Sequence, residues 1–282
     1  MTKILALIDG SIYSASVAGN AAWAAKRLDA SIELLQVLGR RQVSADDRSG
    51  SIGAGARRRL LERLAALDAE RAQMLNEKGW MELDEARAQI EAEGVSAVTT
   101  SLRNGDILET LHERTEATDL LVVGKRGEAA DFAKLHLGSN LERILRTADC
   151  PILVTARAFR PITKVLFAFD GRQGAMQAVE GLAASPLLRG VAVSLVAIGR
   201  ETDPLIGKLQ AAASQLRDSG MVVDERIIPG EVNEVIPALV EAEEIDLLVM
   251  GAYGHSRLRT LVIGSTTSEM IRACRIPVLV WR

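Results

Sequence analysis

The chain of 282 residues repeats itself once along its length, and this duplication most constrains its fold. Three blocks of the first half return in the same order in the second: 4–11 (ILALIDGS) as 165–172 (VLFAFDGR), 117–127 as 244–254, and 137–154 as 263–280. A duplication of this kind indicates two copies of one structural unit. We therefore predict two domains, residues 1–157 and 161–282, separated by a short polar stretch that ends in Pro161.

Each half alternates short apolar runs with longer amphipathic stretches. Continuous runs such as LLVV and LLVM are typical of parallel strands buried on both faces. Strand–helix alternation of this type predicts right-handed βαβ units and a doubly wound α/β sheet in each half. The predicted strands are 3–9, 31–37, 95–102, 119–124 and 151–155, then 164–169, 191–198, 222–228, 246–251 and 277–281. The predicted helices of the second half are 172–185, 203–219, 231–242 and 264–273.

The first half carries an insertion at about 42–93. Residues 42–54 have the composition of a polar loop, and 56–93 have the pattern of a helix. A single helix there would be roughly 57 Å long at 1.5 Å per residue. We expect Gly79 to divide it into two segments packed on their own domain. The alternative is one helix with a projecting end, and Trp80 and Met81 would then cap the core or contact a partner.

A glycine motif, Gly-x2-Gly-x9-Gly-Ser, spans 251–265 between an apolar strand and a helix. Gly251 and Gly254 allow a sharp turn and a close approach of the backbone to a ligand. The helix that follows offers free backbone N–H groups and the positive end of its dipole, which together form an anion site. The residues predicted to supply this phosphate site are Gly264, Ser265, Thr266 and Thr267, with positive charge from His255, Arg257 and Arg259.

Asp170 follows the first strand of the second half, at its carboxyl end, where open α/β sheets bind ligands. Its carboxylate can accept a hydrogen bond from a ribose hydroxyl or cap the next helix, and the sequence leaves both roles open. The first half has a weaker version of the site: Asp9, Gly124, Gly127, Gly138 and Ser139. Ten residues instead of nine separate Gly127 from Gly138, and Glu128 and Asp131 add negative charge that opposes a triphosphate.

These features together resemble the universal stress protein family: the Asp-Gly block, the glycine motif and the Pro-Val-Leu-Val ending. The resemblance covers nearly all of the chain except 42–93. It implies two tandem five-stranded parallel sheets of order 3-2-1-4-5, similar to adenine nucleotide alpha hydrolases, and ATP with Mg²⁺ as ligand. It implies that Asp170 faces the ribose, that Ile198 touches the adenine, that Ala168 also belongs to the nucleotide site, and that the last strands pair the two halves as a pseudo-dimer. Whether two chains assemble further stays open.

Composition argues against several other classes of function. The net charge is −3 and aromatic residues make up 3% of the chain, which disfavours nucleic-acid binding. No apolar run approaches the roughly 20 residues of a membrane span, and two cysteines are typical of a reducing, cytoplasmic location. P-loop, Gly-x-Ser-x-Gly, HIGH and SGGxDS signatures are missing from the sequence. We therefore expect an ATP-binding regulatory protein with slow hydrolysis at most. The alternatives are a nucleotide-free interaction protein acting through the long helix on an unknown partner, and an ATP-dependent enzyme.

Overall fold

A computed structural model describes residues 2–39, 54–115, 117–126, 138–251 and 265–281. Ten strands form one continuous sheet in the order β3-β2-β1-β4-β5-β10-β9-β6-β7-β8. Each half therefore has the order 3-2-1-4-5, and all its strand pairs are parallel. The doubly wound α/β fold is confirmed, and the two five-stranded sheets join end strand to end strand, as the resemblance implies. The halves share one sheet because β5 and β10 pair antiparallel, with Leu153 opposite Leu279.

The described elements of the first half are β1 (Lys3–Leu7), α1 (Ser14–Leu28), β2 (Ser31–Leu38), α2 (Ala54–Ala92), β3 (Val98–Asn104), α3 (Ile107–Thr115), β4 (Leu120–Gly124), α4 (Ser139–Thr147) and β5 (Ile152–Thr155). The third strand begins three residues later than predicted. Val95 instead belongs to the turn after α2, where its N–H donates to the carbonyl of Ile90 at 3.4 Å.

The second half contains β6 (Lys164–Ala168), α5 (Gln173–Ala184), β7 (Ala192–Ile198), α6 (Asp203–Asp218), β8 (Val222–Ile228), α7 (Val232–Ala242), β9 (Leu247–Gly251), α8 (Ser265–Ala273) and β10 (Val278–Trp281). A short 3-10 turn, Pro186–Leu188, follows α5. Helices cover both faces of the sheet. One apolar layer joins it to α1, the end of α2, α5 and α6, and the other joins it to α3, α4, α7 and α8.

Helix α2 is continuous over 39 residues, so the expectation of two segments divided at Gly79 is wrong. At 1.5 Å per residue it is about 58 Å long. Gly79 lets the helix lie close to β3, because a Cβ there would be 2.8 Å from Leu102 Cδ1. Only the end of the helix packs on the sheet, through Leu83, Ala86 and Ile90. Trp80 and Met81 are 44% and 72% exposed and do not cap the core.

Side chains also connect the two halves beside the β5–β10 pair. Lys125 follows β4, and its Nζ donates to the carbonyls of Arg272 at 3.1 Å and Cys274 at 2.8 Å, at the end of α8. Burial lowers the pKa of Lys125 to about 8. On the other face, the Arg27 guanidinium donates to the carbonyls of Leu187 and Arg189. A search of the described helices found none that is long and apolar enough to cross a membrane.

Candidate functional site

The Asp-Gly turn of the second half lies at the carboxyl end of β6, between β7 and β9. Gly171 has a φ of +66°, which favours glycine and turns the chain into α5. Asp170 Oδ1 accepts a hydrogen bond from the backbone N–H of Arg172 at 2.9 Å. The carboxylate therefore caps the turn that leads into α5. Its contact with a ribose stays a prediction.

Gly251 ends β9 against the first turn of α5. A Cβ at this position would lie 2.5 Å from the backbone N of Ala175 and 2.6 Å from the carbonyl O of Gly174. A side chain cannot be accommodated at such distances from main-chain atoms. Packing alone thus requires this first glycine of the motif, whether or not a ligand approaches it.

The first turn of α8 presents three hydroxyl side chains in a row. Ser265 is exposed, Thr266 is half-buried and Thr267 is 2% exposed. Among the residues that the structure describes, Thr267 Oγ1 has no hydrogen-bond partner. A buried hydroxyl without a partner is rare in proteins, since it has lost its bonds to water. This hydroxyl lies in the first turn of α8, where the backbone N–H groups also lack partners within the helix.

The two apolar residues predicted for the nucleotide site also lie at this end of the sheet. Ala168 ends β6 and Ile198 ends β7, and both are half-buried. They pack against the same apolar layer as Ile228 and Val232, the last residue of β8 and the first of α7. The second half therefore has a partly exposed apolar surface at the strand ends.

Comparison of the halves shows how their sites differ, beginning with the first strand. Val165 and Ile4 start matching blocks, so that Ala168 corresponds to Leu7. Leu7 is 7% exposed, whereas Ala168 is half-buried. Leucine has the larger side chain and is the more deeply buried of the two, so the first half exposes less surface at this position.

The helix that follows the glycine motif also differs between the two halves. The matching blocks place Thr267 opposite Leu141, which is 3% exposed and belongs to the core. The first half consequently lacks the buried hydroxyl of the second. α4 begins at Ser139, with Gly138 as its N-cap and no side-chain cap.

The charged side chain beside the Asp-Gly turn has the opposite sign in the two halves. The backbone turns after α2 and α6 match, since Val95 N–H bonds to Ile90 O and Met221 N–H bonds to Leu216 O. This register places Glu82 of α2 opposite Lys208 of α6.

Each of these side chains lies on its own Asp-Gly turn. Lys208 Nζ donates to the carbonyl of Gly171 at 2.9 Å. The Glu82 carboxylate lies against Gly10, where a Cβ would be 2.5 Å from Glu82 Cδ, and accepts from Gln36 Nε2 at 2.7 Å. The second-half turn therefore has a lysine beside it, and the first-half turn has a glutamate that also pairs with Lys78 Nζ at 3.4 Å.

A side chain packs against the end of β4, whereas the end of β9 packs against main chain. A Cβ on Gly124 would lie 2.9 Å from Tyr13 Cβ, and the counterpart of Tyr13 in the second half is Gly174. Asp9 Oδ1 accepts from the N–H of Ser11 at 3.0 Å, as Asp170 does for its own turn. The Asp-Gly turn is thus common to both halves, whereas the packing around it is not.

Several predicted residues lie outside the described part of the chain: Gly254, Gly264 and Gly127, the loop residues His255, Arg257 and Arg259, and the acidic Glu128 and Asp131. The structure places the carboxyl ends of β6, β7 and β9 next to one another. Sequence reasoning missed Lys208, Glu82, Leu7 and Leu141. The matched blocks contain Leu7 and Leu141, but only the three-dimensional register pairs Glu82 with Lys208, because the insertion separates them.

The described residues offer little catalytic chemistry. Burial raises the pKa of the Cys150 and Cys274 thiols to about 11, so both thiols are protonated near neutral pH. His112 lies exposed on α3. Within the described ranges no group of three or more His, Cys, Asp or Glu side chains could hold a metal ion.

Comparisons with known proteins agree with this architecture. The sequence profile of the universal stress protein family matches residues 1–156 and again 161–282. Universal stress protein Slr1230 of Synechocystis sp. is 38% identical over 287 aligned positions, which cover 100% of both chains.

Two solved structures share the fold over nearly the whole chain. A universal stress protein of Archaeoglobus fulgidus superposes with a TM-score of 0.67 at 20% identity, covering 99% of this chain and 98% of its own. A Pseudomonas aeruginosa protein described as functionally unknown superposes with a TM-score of 0.59 at 19% identity, covering 100% and 92%. At these identities the likeness concerns the fold alone.

Proposed function

The chain belongs to the universal stress protein family, and we propose that it is a regulatory protein that binds one adenine nucleotide, ATP, in its second half. The observation that carries the proposal is the consistent difference between equivalent positions of the two halves. Ala168 replaces Leu7, Thr267 replaces Leu141 and Lys208 replaces Glu82. Each change gives the second half what a nucleotide needs: room for the base, a hydroxyl donor and positive charge.

The residues of the second half fit such a ligand. Ala168 and Ile198 would contact the adenine, and Asp170 would accept from a ribose hydroxyl with the lone pairs that the turn leaves free. The N-terminus of α8 would hold the phosphates through its backbone N–H groups and the hydroxyls of Ser265, Thr266 and Thr267. Mg²⁺ would arrive with ATP, held by phosphate oxygens and hydroxyls.

Calorimetric titration with Mg-ATP tests the proposal, after any nucleotide that copurifies has been released and identified by chromatography. We expect one equivalent bound per chain, together with higher thermal stability. A ligand at 100 times its dissociation constant stabilises the fold by about 2.7 kcal/mol. Two equivalents would place a second nucleotide in the first half, and no binding would refute the proposal.

A matched pair of variants locates the site. Ala168→Leu gives the second half the residue of the first and should reduce affinity at least about tenfold, because the leucine fills the space for the base. Leu7→Val changes the equivalent position of the first half and should leave the titration unchanged. If Leu7→Val weakened binding and Ala168→Leu did not, the nucleotide would belong to the first half.

A second candidate function is suggested by the exposed apolar residues of α2, among them Leu64 at 47% and Leu67 at 53% exposure. They favour an interaction protein that acts through this helix without nucleotide. In that case the titration would show no binding, and removal of the exposed apolar side chains would abolish assembly.

A further inference from the structure

The first 23 residues of α2 have no counterpart in the second half. The register that pairs Glu82 with Lys208 places Asp203, the first residue of α6, opposite Glu77. Residues 77–92 of α2 therefore correspond to α6, and residues 54–76 are additional. They extend the helix by about 34 Å at 1.5 Å per residue.

An apolar stripe runs along this extension and onto the adjoining turn. It consists of residues spaced by seven: Leu60, Leu67, Met74 and Met81, exposed by 47, 53, 62 and 72%. Leu64 lies on the same side, with Leu61 and Leu75 along one edge. A seven-residue spacing keeps side chains on one face and is the pattern of helices that pair in a coiled coil.

The extension has little to stabilise it within its own chain. Residues 58–75 are all exposed. Its side chains bond to neighbours one turn away on the same helix: Arg58 Nε to Glu62 Oε1 at 3.0 Å and Gln73 Nε2 to Glu77 Oε1 at 2.9 Å. Pairs of this kind add little, and most helical stability in proteins comes from packing an apolar face. A helix of this length with an uncovered stripe thus gains stability when another helix covers it.

The distribution of charge along α2 indicates which helix covers the stripe. Its projecting end is basic, with Arg58, Arg59 and Arg63 against the single acid Glu62. The end near the sheet, residues 77–92, is acidic, with Glu77, Glu82, Asp84, Glu85 and Glu91 against Lys78 and Arg87. Two parallel copies would place like charges side by side. Two antiparallel copies place the basic end of each against the acidic end of the other, which is favourable at both ends.

We propose that the α2 stripe is the docking surface for a second copy of this chain, with the two α2 helices antiparallel. A two-fold axis between Glu70 and Arg71 brings the Glu70 of each copy near the Arg71 of the other, and Leu60 near Met81. The last strands are not available for this assembly, because β5 and β10 already pair with each other inside the chain. The dimer does not depend on the proposed nucleotide site.

Sedimentation equilibrium of the full chain tests the proposal. We expect a dimer for the wild-type chain and a monomer for Leu60→Glu/Leu67→Glu, with at least a hundredfold weaker association. Ala69→Glu is the matched control, since it adds the same charge on the opposite face of the helix. It should stay dimeric. A monomeric wild-type chain at micromolar concentration, or equal loss in the control, would overturn the proposal.

Disulfide cross-linking tests the orientation. The two native cysteines are buried. Antiparallel helices predict that Leu60→Cys and Met81→Cys chains form a disulfide dimer when mixed and that neither does so alone. Cross-linking of Leu60→Cys with itself would show parallel helices and overturn the charge argument. A thermal unfolding midpoint of the ten-stranded sheet equal to that of the wild-type chain would show that each of these variants remains folded.

Discussion

Gly251→Ala is the substitution whose cost can be worked most directly from the structure. The new Cβ would lie 2.5 Å from Ala175 N and 2.6 Å from Gly174 O, about 1 Å inside ordinary van der Waals contact. Both contacted atoms belong to the main chain, so neither can rotate away, and β9 or the start of α5 must shift. Overpacking of this kind costs about 1–3 kcal/mol, and we expect the upper part of that range.

Gly207→Ala is the matched control for the same chemical change. Gly207 lies inside α6, and a Cβ there meets nothing within 4 Å. Alanine is favoured over glycine in a helix interior by about 1 kcal/mol, so this variant should be more stable than the wild-type chain. The free energies of unfolding of the two variants should therefore differ by about 2–4 kcal/mol, with Gly251→Ala less stable and Gly207→Ala more stable than the wild-type chain.

Urea unfolding followed by circular dichroism, without nucleotide, measures both free energies of unfolding. The absence of nucleotide matters because Gly251 also belongs to the proposed site, and only packing should contribute to the measured change. Gly124→Ala should fall between the two, since its Cβ would be 2.9 Å from Tyr13 Cβ. A Gly251→Ala variant as stable as the wild-type chain would refute the argument from close backbone approach.

Three further predictions concern packing and charge. Gly181→Ala should cost about 1–3 kcal/mol in urea unfolding, because its Cβ would lie 2.6 Å from Trp281 Nε1; no loss would show that the indole moves freely. Burial depresses the pKa of Lys125 to about 8. The free energy of unfolding of the wild-type chain should therefore rise by up to about 3 kcal/mol relative to that of Lys125→Met between pH 8 and 10.5. A difference between the two chains that does not change with pH would contradict this. The hydrogen bond from Arg226 lowers the pKa of Glu243, so the advantage of the wild-type chain over Glu243→Gln, about 1 kcal/mol, should disappear as pH falls below 4.5; an advantage that persists in acid would exclude the ion pair as its source.

The architecture of each half could be predicted from the sequence because its signals are local. Runs such as 120–123 and 247–250 are apolar throughout, and a strand needs that pattern only when both of its faces are covered. The glycine motif likewise predicted where the backbone approaches closely, and Gly251 does lie against the main chain of α5.

The path of α2 could not be predicted from the same signals. A glycine inside a helix costs only about 1 kcal/mol relative to alanine, so Gly79 was compatible with a break and with continuity. The contact with Leu102 on β3 favours continuity, and that contact joins residues that are distant in sequence.

The sequence by itself determined the duplication, the parallel doubly wound fold and the location of the Asp-Gly turns and glycine motifs, since these follow from local patterns of apolar and small residues. The family resemblance, and no local pattern, pointed to the pairing of β5 with β10, and tertiary structure alone decided that α2 is continuous and projects with its stripe exposed. It also decided that Glu82 lies on one Asp-Gly turn and Lys208 on the other. The physical reason is that strand pairing, helix register and the charge at a turn depend on which distant residues meet, and a local pattern does not contain that information.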